Sequence, residues 1–337
     1  MSKYITRKLI NADKKQYEYY TSNNKLITNK ATLNKIYKIY IAPAYEDVKI
    51  YLDAKIEATG IDKKGIKQYV YSEASKKLRE TKKYCQLVTL SSNISKLNKR
   101  IHDDMSVKKY NKNKIIALIL KIMDICNFRC GTKKYEDLYG SHGLTTLHKK
   151  HILIRKNEVE IDFIGKKGVV NNCIINDNDN VQELIKSIYS LSSKDDPYFF
   201  SINYKNKHIK VSIGDLNNYL EQYNVTTKSL RTWNANILFL KNFKDELIEN
   251  KDKDLTKATI KKRLVKEAIK KTAISLHHTP TICKNSYIYK NILQKIETSN
   301  KIIDKLLVRN SVAENILKDL LKNKDMKNCN KLNNYSL

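Results

Sequence analysis

The sequence predicts an α+β protein, with a small β-rich N-terminal domain followed by a larger, mainly helical domain that carries a small β-hairpin sheet. Three patterns predict it. Short alternating runs separated by turn residues fill the N-terminal part, apolar residues recur at helical spacing from about Ser72, and alternation returns briefly after Gly143. At 337 residues the chain has room for about two domains of ~150 residues.

In the first domain, Asp47 to Leu52 and Lys67 to Tyr71 alternate in strand fashion, and Asp62-Lys63-Lys64-Gly65 is a turn between runs. Glu73 to Leu87 and Asn113 to Cys126 then place apolar residues three and four apart, as amphipathic helices do. This puts the domain boundary near Ser75 to Lys77, giving a β-rich first domain over residues 1–76 and a mainly helical second domain over 77–321. The β-island comprises Ile152 to Ile154, Val159 to Ile164 and Val169 to Ile175, the last two joined through Gly165-Lys166-Lys167-Gly168 as a tight hairpin. Beyond Asn180 the pattern reads as helical throughout. Ser212 and Thr226 or Thr227 suit N-cap positions, and Thr279-Pro280 opens another helix with proline at its first position. Residues 322–337 are rich in Lys and Asn and read as a flexible tail.

Composition narrows the function. Hydrophobic residues make up 41% of the chain, enough to build a core, while 65 Lys plus Arg against 35 Asp plus Glu leave a net charge of +30. A polyanion releases condensed counterions on such a surface, so nucleic acid is the expected partner. The longest apolar stretch, Ile115 to Met123, is broken by Lys121 and is too short to cross a bilayer, and the N-terminus has no signal-peptide pattern. A soluble, intracellular, non-membrane protein is expected. The six cysteines form no Cys-x-x-Cys pair and are read as reduced thiols. His142, His148 and His151 do not make a metal site on sequence grounds, because no carboxylate or thiol stands at ligand spacing. No Gly-rich phosphate loop is present, which argues against a nucleotide-driven motor.

The chemistry lies in a few scattered residues. Breaking DNA by transesterification needs an attacking hydroxyl, charge stabilisation at the non-bridging oxygens, and a proton for the departing 5′-oxygen. His278 precedes Tyr287 by nine residues, and Arg231 and Arg129 lie upstream. Guanidinium pairs bidentately with phosphate and stays charged. A phenol with a pKa of ~10 is a reversible leaving group, so a phosphotyrosine link conserves the energy needed to reseal the strand. Lys166 or Lys167 at the hairpin tip is placed to act as the acid.

These residues sit in motifs that resemble the type IB DNA topoisomerases, of the compact poxvirus kind. Phe128-Arg129-Cys130-Gly131 with Tyr135, then Gly143-Leu144-Thr145-Thr146-Leu147, is similar to the segment bearing that family's first catalytic arginine. Phe163-Ile164-Gly165-Lys166 resembles its Phe-aliphatic-Gly-Lys hairpin and assigns the general acid to Lys166. Lys228-Ser229-Leu230-Arg231-Thr232 resembles the helix of the second arginine, and His278-Thr279-Pro280 with Tyr287 completes the order. Cys130 stands where an aromatic is usual, Trp233 where Tyr is common, and His277 is an added imidazole.

The resemblance implies a monomer that clamps double-stranded DNA between two domains. It nicks one strand through a 3′-phosphotyrosyl link on Tyr287, relaxes supercoils by swivelling and religates, with no ATP or metal cofactor. Arg129, Arg231 and His278 become transition-state stabilisers. DNA contacts fall to Lys67, Gln68, Tyr69 and Tyr71 in the first domain, and to Gly131, Lys134, Tyr135 and Asn236 in the second. A viral origin would place the protein in the virion and host-cell cytoplasm. The alternatives are a tyrosine recombinase or integrase, which usually carries His-x-x-Arg where Lys228 to Arg231 stands, and a non-catalytic DNA-packaging protein.

Overall fold

The computed structural model describes residues 4–11, 13–176, 180–321 and Cys329. The predicted tail therefore lies outside the described residues, Cys329 excepted. The chain is α+β and divides into two compact units, Met1–Lys83 and Tyr84–Leu337.

The first unit is an antiparallel sheet built from β1 (Ile5–Asn11), β2 (Gln16–Thr21), β3 (Glu46–Ile50), β4 (Ile56–Ile61) and β5 (Lys67–Tyr71) in the order β2-β1-β3-β4-β5, with helix α1 (Lys30–Tyr37) inserted after β2. Ile36 of α1 buries against Val48, Ile50 and Ala58, which share one sheet face by the two-residue strand period. The turn foreseen at Asp62 to Gly65 joins β4 to β5. Gly65 takes φ +74°, and the Asp62 carboxylate accepts the amides of Lys64 and Ile66.

Helix α2 (Glu73–Ser106) runs well past the predicted Leu87, and the division between the units falls within it. Helix α3 (Lys112–Cys126) is the spine of the second unit: Ile115 to Leu120, Ile122 and Met123 are all buried. The run too short for a membrane is thus a central core helix, capped by Asn111 and ended by Asn127 in the left-handed region, φ +54°. Helix α4 (Lys133–Tyr139) follows, then a three-stranded sheet of β6 (Ile152–Ile154), β7 (Glu158–Ile164) and β8 (Val170–Asn176), then α5 (Val181–Leu191). The expectation that everything beyond Asn180 is helical is wrong at one place. Strands β9 (Ser201–Tyr204) and β10 (Lys207–Lys210) form a hairpin whose tip, Lys205-Asn206, adopts positive φ at both residues. That paired left-handed geometry is the tight turn that matches strand twist.

The remaining helices are α6 (Ile213–Glu221), α7 (Thr227–Glu249), α8 (Ala258–Ser275), α9 (Pro280–Ile282), α10 (Lys290–Thr298), α11 (Lys301–Leu307) and α12 (Ala313–Leu321). Ser212 caps α6, Thr226 rather than Thr227 caps α7, and Thr279 caps α9 with Pro280 at its first position. No described helix is long and apolar enough to cross a membrane.

The cysteine reading is corrected. Cys85 pairs with Cys329 and Cys126 with Cys173 as disulfides, across 244 and 47 residues. The fold brings their Cα atoms to 5.2 and 5.6 Å, within bonding range, and sequence spacing carries no trace of that.

Candidate active site

The site assembles where four local structures end. Asn127 terminates α3 and turns the chain into an extended segment bearing Arg129. That segment lies directly on residues 143–146: the Arg129 carbonyl accepts the Leu144 amide at 2.9 Å, and the Gly131 carbonyl accepts the Thr145 hydroxyl at 2.7 Å. Glycine is required on both sides. A Cβ on Gly131 would meet the Thr146 hydroxyl at 2.2 Å, and one on Gly143 would meet backbone of residues 129–131 at 2.5–2.7 Å. Gly131, expected to touch DNA, is buried and has this packing role.

Arg231 lies in the second turn of α7 and is 4% exposed. Its guanidinium donates to the carbonyls of Asn127 and Leu276, the latter at 2.6 Å, so it ties the Arg129 segment to the end of α8. Its Nε is buried and has no hydrogen-bond partner. Burial lowers its pKa to about 10, with the charge of Arg129 adding to that and Tyr287 opposing it.

The α8 terminus delivers His278. Its amide bonds the Ala273 carbonyl at 3.1 Å, while His277 takes φ +53°. His277 Nε2 lies 3.2 Å from the Cys126 carbonyl and its ring packs on Phe128, which gives the added imidazole a structural place beside the site. Neither ring nitrogen of His278 makes a well-formed hydrogen bond. Burial lowers its pKa to about 4, helped by the charges of Arg231 and Arg129, so the ring is neutral near pH 7.

Tyr287 ends a π-helical turn, Cys283–Tyr287, and stacks on His278 with ring centroids 4.8 Å apart. The Arg231 guanidinium carbon sits 5.6 Å from the Tyr287 ring centre. Burial pushes the phenol up. The charges of Arg231 and Arg129, with hydrogen bonds from both, outweigh it and hold the phenol below its ordinary pKa. Asn236 is fully buried, and its amide nitrogen donates to the Tyr287 carbonyl at 3.0 Å and to Thr232 at 2.7 Å. Its oxygen accepts the Tyr289 amide at 2.8 Å. The side chain expected at the DNA thus grips the backbone on both sides of Ile288. Tyr289 stacks on Tyr84 instead of entering the cluster.

Lys166 sits at the β7–β8 tip, which closes through Gly165 N–H to the Val169 carbonyl at 2.8 Å, with Lys167 at φ +66° and Gly168 at φ +75°. Its ammonium lies 5.3 Å from the Tyr135 ring centre. Lys166 and Tyr135 share a cleft of about 420 Å³ with Arg129 and Lys228. Lys134 is exposed on α4. Arg129 therefore belongs both to the cleft of Lys166 and to the charged surroundings of Tyr287.

In the first unit, Lys67, Tyr69 and Tyr71 share one face of β5. The Lys67 ammonium lies over Tyr69, Tyr69 stacks on Tyr71, and the Arg79 guanidinium sits 3.4 Å from the Tyr71 ring centre. Gln68 points to the other face, where its amide nitrogen donates to Asp62 at 2.8 Å.

Sequence reasoning missed one cluster. It found no carboxylate near the histidines, yet Glu136 of α4 comes to 2.8 Å from His148 Nε2 and 3.5 Å from His142 Nδ1. The spacing of 136, 142 and 148 hides this, because the chain between them reverses at Gly140, φ +58°.

Cationic side chains and a neutral imidazole converging on one partly buried tyrosine, in a strongly basic chain, mark the tyrosine-based enzymes that cut and rejoin DNA. The family described as the eukaryotic DNA topoisomerase I catalytic core matches residues 72–311. A "DNA topoisomerase 1B" of Acanthamoeba polyphaga mimivirus is 33% identical over 283 residues, covering 82% of this chain and 83% of the relative. A "DNA topoisomerase 1B" of Vaccinia virus (strain Copenhagen) is 27% identical over 296 residues, covering 82% and 89%. The chain belongs to the type IB DNA topoisomerases, of the viral kind. It is an isomerase acting on DNA.

Proposed function

We propose that Tyr287 is the nucleophile that opens one strand and carries the 3′-phosphate, with Arg129, Arg231 and His278 stabilising the pentacoordinate phosphorus. The observation that carries this reading is the convergence of unused hydrogen-bonding capacity on a phenol already shifted toward phenolate. Arg231 Nε and the ring nitrogens of His278 are buried without well-formed hydrogen bonds, and a phosphate beside Tyr287 supplies acceptors for the Arg231 Nε–H and the one N–H of a neutral His278. A neutral His278 donates one N–H to a non-bridging oxygen, and the phosphate's charge then raises its pKa, strengthening the bond as charge develops. Asn236 acts as a positioning residue, setting the backbone of Tyr287 against α7.

Lys166 protonates the 5′-oxygen as it departs. Its ammonium lies beside the Tyr135 ring in the cleft that also holds Arg129. Since the phenol is its own leaving group in the reverse step, religation needs no ATP, and the cationic side chains take the place of a metal at the phosphate. The β5 ladder of Lys67, Tyr69 and Tyr71, with Gln68 on the opposite face, Lys134 and Tyr135 supply the contacts to duplex DNA. The protein works as a monomer whose two units embrace the duplex, in the virion and the cytoplasm of the host cell.

The test is to trap the covalent adduct on a nicked-product duplex and map it by peptide mass spectrometry. An adduct on Tyr287 through a 3′-phosphate is expected, and Tyr287→Phe should bind DNA yet form none. Plasmid relaxation by Tyr287→Phe would overturn the assignment.

A further inference from the structure

Glu136, His142, His148 and His151 form a compact group that the reaction does not use. One oxygen of Glu136 lies 2.8 Å from His148 Nε2 and 3.5 Å from His142 Nδ1, and one donor atom from each of the three residues falls within 4.8 Å of the others. A four-coordinate ion with bonds of about 2.0–2.1 Å sets its donors roughly 3.4 Å apart, so small side-chain rotations close this triangle on a metal. We propose that Glu136, His142 and His148 bind a first-row divalent transition ion, with zinc the best fit, at a structural site beside the catalytic cleft.

The surroundings already orient these ligands. The second oxygen of Glu136 accepts the Tyr198 hydroxyl at 2.8 Å, which turns the first oxygen toward the two imidazoles. His148 forms a backbone bridge to Tyr198, and its amide donates to His151 Nδ1 at 3.0 Å. The Tyr198–Glu136 bond is of the outer-shell kind that orients a ligand side chain, while the two His148 bonds hold its backbone. His142 Nδ1 also contacts the Thr146 carbonyl at 2.9 Å, so binding an ion through Nδ1 requires the ring to turn off that carbonyl toward Glu136. The side chains of Glu136, His142 and His148 are 16%, 12% and 22% exposed, which leaves an ion a path in from solvent. Two imidazoles and one carboxylate suit zinc better than magnesium or calcium, which favour oxygen shells.

The placement gives the ion a task. Glu136 lies on α4, the helix that carries Lys134 and Tyr135, while His142 adjoins Gly143, whose backbone packs on residues 129–131. An ion at this point ties α4 to the loop supporting Arg129. It fixes the helix whose Tyr135 ring covers Lys166 and takes no part in bond breaking. The inference stands apart from the roles assigned to Tyr287 and Lys166.

The experiment is zinc uptake by the full chain after chelator stripping, followed by competition with a chromophoric chelator, together with a thermal melt. One equivalent of zinc and a higher melting temperature are expected. His148→Asn and His142→Asn should each weaken binding at least about tenfold, and Cys130→Ser should leave it unchanged. Uptake that persists undiminished in His148→Asn, or no uptake by the wild type, overturns the site. If the histidine variants fail to fold, cobalt substitution of the wild type decides. Tetrahedral bands without a thiolate charge-transfer band support the site, and a thiolate band refutes it.

Discussion

Replacing Asn236 with alanine separates positioning from packing. The side chain is fully buried and makes three hydrogen bonds, to Thr232, to the Tyr287 carbonyl and from the Tyr289 amide. The Thr232 carbonyl keeps its place in α7, so the loss falls on the Tyr287 carbonyl and the Tyr289 amide. A buried polar group left unpaired costs about 1–3 kcal/mol, so two such groups set a penalty of roughly 2–6 kcal/mol before relaxation. The segment relieves part of it by drifting off α7, which displaces the phenol from the Arg231 and Arg129 charges. If about 1.4–2.7 kcal/mol of in-line alignment is lost, single-turnover strand cleavage falls about 10- to 100-fold. DNA affinity, measured by filter binding at fixed salt, should change by less than about threefold, because Asn236 presents no open group to the duplex. Asn236→Asp keeps the acceptor for Tyr289 but sets a carboxylate against the Tyr287 carbonyl, and should be at least as impaired. Wild-type cleavage by Asn236→Ala, alongside a lowered melting temperature, would refute the positioning role and leave only a packing one.

Other perturbations follow from the same geometry. Arg231→Lys cannot bridge both the Asn127 and Leu276 carbonyls with one ammonium, and cleavage should fall at least about 100-fold, read by the same single-turnover assay. Lys166→Ala should slow cleavage of normal DNA and regain most of its rate on a 5′-bridging phosphorothiolate, whose sulfur leaves without a proton; no rescue removes Lys166 from the acid role. Gly143→Ala forces a Cβ to within 2.5–2.7 Å of the backbone at residues 130–131, and a depressed melting temperature with loss of cleavage is expected. His278 and His151 both have folded pKa values of about 4, below the ordinary 6.5, so the unfolded chain binds more protons between these limits. Stability should therefore rise with pH from about 4 to 6.5 and be lost on acidification through that window, and His278→Asn should flatten the melting-temperature profile there.

What could be read from the residues was whatever depends on local geometry. Gly165 to Gly168 announced its hairpin because Gly168 takes a left-handed φ and Gly165 has no room for a side chain against Asn171, and Ser212, Thr226 and Thr279 announced helix starts because hydroxyls there satisfy orphan amides. The chemistry-bearing residues were legible only as a constellation, since each is ordinary alone. What stayed hidden depends on long-range closure. The Cys126–Cys173 bond and the meeting of Glu136 with two histidines exist only once the chain has folded back. The β9–β10 hairpin was missed although Ser201 to Lys210 alternates, because helical periodicity on both sides dominated the window and its tip lacks glycine. Asn236 was assigned to DNA for its place in a motif, and only its burial reveals that the motif serves the tyrosine's backbone.

The division of the site around Arg129 bears on how the proposed reaction runs. In-line displacement puts the attacking and departing oxygens on opposite sides of phosphorus, so nucleophile and acid cannot share one face. Tyr287 and His278 come from the α8–α9 region, whereas Lys166 comes from the β7–β8 tip and meets Tyr135. Arg129 is the residue common to the Lys166 cleft and to the charges acting on the Tyr287 phenol. A phosphate held by Arg129 would thus face the phenol on one side and the lysine on the other. The chain pins Arg129 between these groups through backbone rather than side-chain contacts: Asn127 to Arg231 behind it, and residues 129–131 to the glycine-tight loop at 143–146. Because the segment is clamped by its backbone, the only guanidinium contact described for Arg129 is with the Tyr287 phenol, and two glycines and a left-handed asparagine flank the arginine that the proposed reaction places between nucleophile and acid.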